Sequence, residues 1–150
     1  MIRCIEVSLA IPDNEARTAL ATLRRLGVAV AALERADLYR CDVADADAER
    51  LVDTLRDCET VYNPSKHLMR VREDDRPGPG EVWIDEIGSG ARPGGGPLTI
   101  AGRTLAGVRS LERFTAWRLF STREEPAGAE LVTAATETLL CNSAFQKAIL

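Results

Sequence analysis

An internal repeat constrains the fold of this chain more than any other feature, because short motifs occur twice and in the same order. Each copy has a glycine followed by valine, then Leu-Glu-Arg, and then an aromatic residue followed by arginine. A chain that carries one pattern twice is expected to fold into the same unit twice. The matched motifs are Gly27-Val28 with Gly107-Val108, Leu33-Glu34-Arg35 with Leu111-Glu112-Arg113, Tyr39-Arg40 with Trp117-Arg118, and Val61-Tyr62-Asn63-Pro64 with Leu140-Cys141-Asn142-Ser143.

Hydrophobic periodicity predicts a similar order of strands and helices in the two copies. The first copy reads as strand, helix, strand, strand and helix, and the second copy reads as a more diverged version of that order. Residues 74–80, between the copies, have the proline and glycine content of a linker. The predicted strands are 2–9, 28–33, 38–43, 82–87 and 116–121, and residues 67–71 are either a last edge strand or a tail. One helix is predicted after an N-cap within 12–14, with Gly27 as its C-cap; a second opens at Asp45, and a third runs over 128–140. Residues 98–105 are a weakly apolar segment.

This order predicts an α+β fold with two ferredoxin-like βαββα(β) units in tandem, residues 1–73 and a more diverged unit at 81–150. Such a unit is a small antiparallel sheet with helices on one face, and its other face needs a cover. Two units in one chain supply that cover if they pack as an intrachain pseudo-dimer about a pseudo-twofold axis.

Composition excludes several classes of protein. Hydrophobic residues make up 45% of the chain and charged residues 28%, which is typical of a globular protein. The net charge is −4 and the basic residues are interleaved with acidic ones, whereas a nucleic-acid binder needs a basic surface. No apolar stretch has the length of a membrane span and the N-terminus does not resemble a signal peptide, so we expect a cytoplasmic protein.

Residue types that carry chemistry do not form a recognisable catalytic, cofactor or metal site in this sequence. Gly94-Gly95-Gly96 lacks the Lys-Ser/Thr of a phosphate-binding loop, so a surface loop is expected. The single histidine, His67, is predicted to be a surface or interface residue. Asp45, Asp47, Asp53 and Asp57 suit a solvated helix face. The remaining candidates are Cys4, Cys41, Cys58 and Cys141, which have neither a C-x-x-C pair nor a zinc spacing and are expected to be small buried hydrophobes in a reducing compartment.

The repeated aromatic-arginine pairs are the strongest candidates for partner binding. Aromatic residues and arginine are enriched in the centres of protein interfaces. Tyr39-Arg40 and Trp117-Arg118 lie at matching places in the two copies. The alternative is that Tyr39 and Trp117 pack in the core between sheet and helix.

The motifs resemble those of the PurS family, the small subunit of phosphoribosylformylglycinamidine synthase. The first copy carries the resemblance in Leu26-Gly27-Val28, Tyr39-Arg40-Cys41-Asp42-Val43 and Val61-Tyr62-Asn63-Pro64. The second carries it in Gly107-Val108-Arg109-Ser110-Leu111, Trp117-Arg118-Leu119 and Glu137-Thr138-Leu139-Leu140-Cys141-Asn142. The family's Asp-Pro-x-Gly before the first helix is absent.

The resemblance implies a non-catalytic bridging subunit of an ATP-dependent glutamine amidotransferase (ligase) complex in de novo purine biosynthesis. Family members hold a glutaminase against a synthase subunit, so those are the expected partners, with a homo-oligomer as a further option. The residues expected to contact a partner are Tyr39, Arg40, Asn63, Pro64, Trp117, Arg118 and Asn142. The alternative function is an ACT-like regulatory module that senses a small molecule, with Gly27 and Gly107 in loops that could serve a ligand.

Overall fold

The computed structural model describes residues 1–86 and 98–150, which form an α+β fold with a mainly antiparallel sheet. The strands are β1 (Ile2–Leu9), β2 (Ala32–Val43), β3 (His67–Arg72), β4 (Glu81–Glu86), β5 (Thr99–Ile100), β6 (Arg103–Thr104), β7 (Val108–Phe120) and β8 (Gln146–Ile149). The α-helices are α1 (Asn14–Arg25), α2 (Ala48–Arg56) and α3 (Ala129–Ala135); a 3₁₀ turn (Asp45–Asp47) precedes α2 and a π-helical segment (Thr136–Leu140) continues α3.

The strand order is β3-β1-β2-β7-β4-β8, and β5 and β6 form a separate hairpin. β1 pairs antiparallel with β3, which places Leu9 opposite His67. β4 pairs antiparallel with both β7 and β8, so that Glu81 lies opposite Arg118 and Glu86 lies opposite Gln146. The order leaves β3 and β8 as the two terminal strands.

Helix α1 lies where the sequence predicts it, and it ends at Arg25 with Leu26 as its C-cap, one residue before the predicted C-cap at Gly27. The Asp13 carboxylate caps the N-terminus by accepting hydrogen bonds from the backbone N–H groups of Glu15 and Ala16, at 3.0 and 3.2 Å. Gly27 follows the helix in the left-handed conformation, with φ +87°, which a residue with a side chain rarely adopts. Asp45 likewise opens the turn that leads into α2.

The prediction of two strands at 28–33 and 38–43 is wrong, because a single strand, β2, runs from Ala32 to Val43. No glycine or proline interrupts residues 32–43, so the chain has no turn signal there. Residues 28–31 form a connection instead. The Arg24 guanidinium donates hydrogen bonds to the carbonyls of Val30 and Ala31, at 3.0 and 2.7 Å, and so satisfies backbone groups that no strand partner reaches.

In the second copy, too, the structure has a longer strand than the sequence predicts. The strand predicted at 116–121 is the longer β7, and part of the weakly apolar segment before it forms the β5-β6 hairpin. The helix predicted over 128–140 is present, as α3 and its π-helical continuation. The predicted strand 82–87 is β4, and Ile87 and the Gly94-Gly95-Gly96 loop lie outside the described residues.

The described residues belong to two compact units that interleave along the chain. The first contains Met1–Ile11, Asp37–Asp75 and the described residues 98–113. Its core combines β1, β2, α2 and the start of β7. The buried apolar residues of this core are Ile5, Val7, Tyr39, Cys41, Val43, Ala48, Leu51, Leu55, Cys58, Val61, Leu105 and Leu111.

The second compact unit contains Pro12–Ala36, residues 76–86 and Phe114–Leu150. In its core, α1 packs with β4, the end of β7 and the α3 segment. The buried apolar residues of this core are Leu23, Val28, Val30, Leu33, Val82, Ile84, Leu119, Ala127, Val132, Ala135 and Leu140. The division of the sequence into copies at 1–73 and 81–150, with 74–80 as linker, concerns motif order and stays a prediction.

Residues 73–80 form neither helix nor strand, and they end at a glycine that the fold requires. Gly80 has φ +72°, and a Cβ added there would lie 2.6 Å from the Leu119 carbonyl oxygen. The Leu119 N–H donates to the Gly80 carbonyl at 2.7 Å, so the two backbones are in direct contact. None of the helices formed by residues 1–86 and 98–150 has the length and apolar character needed to cross a bilayer.

Candidate functional site

The repeated motifs meet in two matched ion pairs between β2 and β7. In the first compact unit the Arg40 guanidinium donates to the Glu112 carboxylate at 3.1 Å. In the second compact unit the Arg118 guanidinium donates to the Glu34 carboxylate at 3.3 Å. Each pair therefore joins the glutamate of one Leu-Glu-Arg motif to the arginine that follows the aromatic residue in the other copy.

The two arginines differ in what else surrounds them. Arg118 also pairs with Glu81 at 3.2 Å, and the Glu81 side chain is 3% exposed. Glu81 in addition accepts a hydrogen bond from the indole N–H of Trp83, which is itself buried. Around Arg40, by contrast, the Nε atom is buried and has no hydrogen-bond partner within the described part of the chain.

The aromatic partners of these arginines occupy different environments. Tyr39 is 3% exposed, and the Arg113 guanidinium lies over its ring at 5.8 Å from the centroid. Burial raises the pKa of the Tyr39 hydroxyl, against the opposing charge of Arg113. Trp117 is half-buried and lines an open groove of about 420 Å³, together with one face of α1 and Leu139.

The Asn63 turn lies directly before β3. Its side-chain oxygen accepts the N–H of Ser65 at 2.9 Å, and its carbonyl accepts the N–H of His67 at 2.8 Å. The Asn63 N–H donates to Nδ1 of His67 at 2.9 Å, so His67 closes the turn from the other side. The His67 ring also contacts the Tyr62 ring, with centroids 6.4 Å apart.

The Asn142 turn lies directly before β8 and repeats this hydrogen-bond pattern. Its side-chain oxygen accepts the N–H of Ala144 at 3.1 Å, and its carbonyl accepts the N–H of Gln146 at 2.8 Å. The Asn142 N–H donates to Oε1 of Gln146 at 2.9 Å. The motif match at Asn63 and Asn142 is therefore also a match in three-dimensional geometry.

Exposed apolar side chains accompany both turns. Leu68 and Val71 on β3 are 61% and 40% exposed. Phe145 immediately before β8 is 54% exposed, and Leu150 after it is 64% exposed. Pro64 is exposed at the tip of the first turn. A terminal strand with exposed apolar residues can pair with another chain.

Three of the four cysteines are buried as predicted, whereas Cys141 is half-buried. Burial raises the pKa of the Cys4 thiol to about 11 and that of the Cys41 thiol to about 12. The charge of Arg40 acts in the opposite direction on Cys4 but does not overcome burial. Both groups are therefore protonated, unreactive thiols at neutral pH.

The remaining candidates from the sequence are His67 and the two loop glycines, Gly27 and Gly107. His67 is half-buried in its turn, and the residues that the structure describes include no group of three or more metal-ligating side chains. The Asp47 carboxylate lies against Gly107, where a Cβ atom would collide with it. A Cβ atom added at Gly27, the matching glycine of the first copy, would have no other heavy atom within 4 Å.

Sequence reasoning missed the acidic partners of the arginines. Glu34 and Glu112 were visible inside the repeated Leu-Glu-Arg motif, and their shared order with the later arginines was a usable signal. Glu81 has no counterpart motif, and nothing in the sequence marked it. The same holds for Glu6, which is 6% exposed on β1 and accepts hydrogen bonds from Arg70.

A scan against models of protein families found no match to this chain, and a search of curated proteins found no relative.

Proposed function

We propose that this protein is a non-catalytic, PurS-like bridging component of an ATP-dependent glutamine amidotransferase complex in purine biosynthesis. It is a tandem duplication of a ferredoxin-like unit that forms an intrachain pseudo-dimer, and it works in the cytoplasm. Its partners are a glutaminase and a synthase subunit. Its contribution to the complex is an interface, without catalytic residues or a cofactor of its own.

The observation that carries the duplication is the pair of matched Glu–Arg contacts. Under a pseudo-twofold relation between copies, a contact from the first copy to the second must have a reciprocal contact. Arg40 with Glu112 and Arg118 with Glu34 have this reciprocity. The Asn63 and Asn142 turns support the same relation, as does the strand order, because β3-β1-β2 in one direction corresponds to β8-β4-β7 in the other.

A bridging role needs two surfaces, and the terminal strands supply a candidate pair. β3 and β8 each follow an Asn turn and each carry exposed apolar side chains. We assign partner contact to these strands with Asn63, Pro64 and Asn142. We assign Arg40 and Arg118 to holding β2 against β7, because their guanidinium groups are already paired. Tyr39 is buried and serves packing, and Trp117 remains accessible to a partner.

The test is capture of partners by tagged protein from its own cell lysate, with glutamine and ADP present and mass spectrometry as the readout. We expect to recover both a glutaminase and an ATP-dependent amidotransferase. Leu68→Glu is expected to remove one of them and Phe145→Glu the other. Leu26→Glu is the matched control, because Leu26 is also an exposed leucine but lies at the end of α1.

Recovery of neither enzyme by folded protein would overturn the purine-pathway role. If both enzymes are still recovered with Leu68→Glu and with Phe145→Glu, the assignment of β3 and β8 as partner surfaces is overturned. A metabolite that raises the melting temperature would, in the absence of either enzyme, favour the small-molecule sensor.

A further inference from the structure

An open cavity of about 450 Å³ lies in the second compact unit, between the α3 segment and β8. This volume is in the range of small-molecule binding sites. One wall is the π-helical segment, a geometry that occurs frequently at functional sites. The cavity lining that the argument uses consists of Thr133, Glu137, Cys141, Ser143, Gln146 and Ala148.

The corresponding positions of the first copy carry larger side chains. The two Asn turns have the same hydrogen bonds, so Cys141 corresponds to Tyr62 and Gln146 corresponds to His67. In the first copy the two rings contact each other beside the turn. In the second copy a thiol and an amide stand at these positions, and both line the cavity. The turn is retained and the ring volume is lost.

The polar groups at this cavity define the class of ligand. Glu137 supplies a carboxylate, and it forms no ion pair within residues 1–86 and 98–150. The Gln146 amide oxygen is used by the Asn142 N–H, which directs its hydrogen-bonding capacity for a ligand to the amide NH₂ group. The hydroxyls of Thr133 and Ser143 and the ammonium group of Lys147 add donors that suit a ligand carboxylate, while Ala148 and Leu150 are apolar.

We propose that this cavity binds a small amphipathic amine, specifically the zwitterion of an apolar α-amino acid. The Glu137 carboxylate binds the ligand ammonium group, because a charge-assisted hydrogen bond is the strongest polar contact that the cavity offers. The Gln146 amide and the Ser143 hydroxyl face the ligand carboxylate, and the apolar wall contacts its side chain. The cavity borders β8, one of the two terminal strands assigned to partners, but the proposal rests on the residues that line the cavity and not on the bridging role.

The test is isothermal titration calorimetry of the purified full-length chain with the apolar L-amino acids, alanine, valine, leucine, isoleucine, methionine and phenylalanine, one at a time. We expect at least one to bind with a stoichiometry of one. The carboxylic acid that lacks only the amino group of that amino acid is expected not to bind. Glu137→Gln is expected to weaken binding about tenfold or more.

The first copy provides the variant that closes the cavity. Cys141→Tyr combined with Gln146→His places the first copy's own side chains in the second, and the introduced histidine can accept the Asn142 N–H as His67 accepts that of Asn63. We expect this double variant to bind none of the amino acids. Glu130→Gln is the matched control, because Glu130 is an exposed acid at the start of α3 and does not line the cavity.

The proposal is overturned if none of these amino acids binds the wild-type chain. It is equally overturned if binding persists in the folded double variant, or if Glu137→Gln and Glu130→Gln have the same affinity as wild type. Circular dichroism shows whether each variant is folded. If the double variant is not folded, Glu137→Gln alone decides the question.

Discussion

Arg40 and Arg118 occupy matched places in the two copies, yet the carboxylates around them differ. Arg40 pairs with one half-exposed glutamate, Glu112. Arg118 pairs with the exposed Glu34 and also with the buried Glu81. By the pairing of β1 with β3 and of β4 with β8, the position that corresponds to Glu81 is Cys4. The backbone relation is kept, but within residues 1–86 and 98–150 a buried acid pairs with the matched arginine in the second copy only.

The comparison teaches that backbone geometry can match at two places in the chain where the side-chain chemistry does not. The turns at Asn63 and Asn142 keep their hydrogen bonds, because their loss would leave backbone groups of a strand connection unsatisfied. The side chains near the two arginines do not match in this way: a buried acid pairs with Arg118, and a thiol stands at the corresponding position near Arg40.

The largest expected effect is a difference between the cysteines in their rate of alkylation. At mildly alkaline pH we expect Cys141 to react with iodoacetamide, while Cys4 and Cys41 remain unmodified in the native protein. With pKa values raised to about 11 and about 12, these two thiols form little thiolate, and burial also blocks the reagent. Peptide mapping after timed labelling measures the rates, and we expect a difference of about a hundredfold or more, since the thiolate fraction falls tenfold for each pKa unit.

Protein unfolded in urea is the control, in which all cysteines should be labelled. If Cys4 is labelled in the native protein as fast as Cys141, then β1 opens and the Cys4 thiol is not protected by burial.

The next effect is on stability at Glu81. We expect Glu81→Ala to lower the free energy of unfolding by about 3 kcal/mol, because it removes the buried carboxylate that pairs with the Arg118 guanidinium and accepts a hydrogen bond from the Trp83 indole N–H. Urea denaturation followed by tryptophan fluorescence measures the change. Cys4→Ala at the corresponding position should cost less, about 1 kcal/mol, because it removes only one buried sulfur atom. Equal costs would remove the distinction between the copies.

These outcomes bear on what the sequence could predict. The repeat, the capped start of α1 and the candidate positions Asn63 and Asn142 were accessible, because each depends on residues close together in the chain. The merging of two strands into β2 was missed, since Ala32 to Val43 contains buried residues on both faces and its length depends on pairing with distant segments.

The polar network and the cavity could not be read from the sequence, for a related reason. Glu81 gains its role only when β4 lies beside β7, so that Arg118 is its cross-strand neighbour. Cys141 and Gln146 line a cavity, whereas the corresponding places beside the Asn63 turn carry the larger rings of Tyr62 and His67. Both features depend on a comparison between copies in three dimensions.

A smaller and equal effect is expected at the two turns. Asn63→Ala and Asn142→Ala should each lower the free energy of unfolding by about 1 kcal/mol, because each removes one hydrogen bond from a side chain to the backbone. Urea denaturation of both single variants measures the costs. A cost at one turn only would contradict the view that the two turns are structurally equivalent.

The smallest effect is expected at the exposed glutamates. Glu34→Ala and Glu112→Ala should each cost about 0.5 kcal/mol or less, because both carboxylates are partly solvated and Arg118 keeps its contact with Glu81. The double variant should show additive costs, since the two pairs share no residue. Measurements at low and high salt would sharpen the comparison, because the cost of losing an exposed pair should shrink with ionic strength. A cost above about 2 kcal/mol at Glu112, but not at Glu34, would show that Arg40 depends on a single carboxylate and that the two pairs are reciprocal in geometry but not in energy.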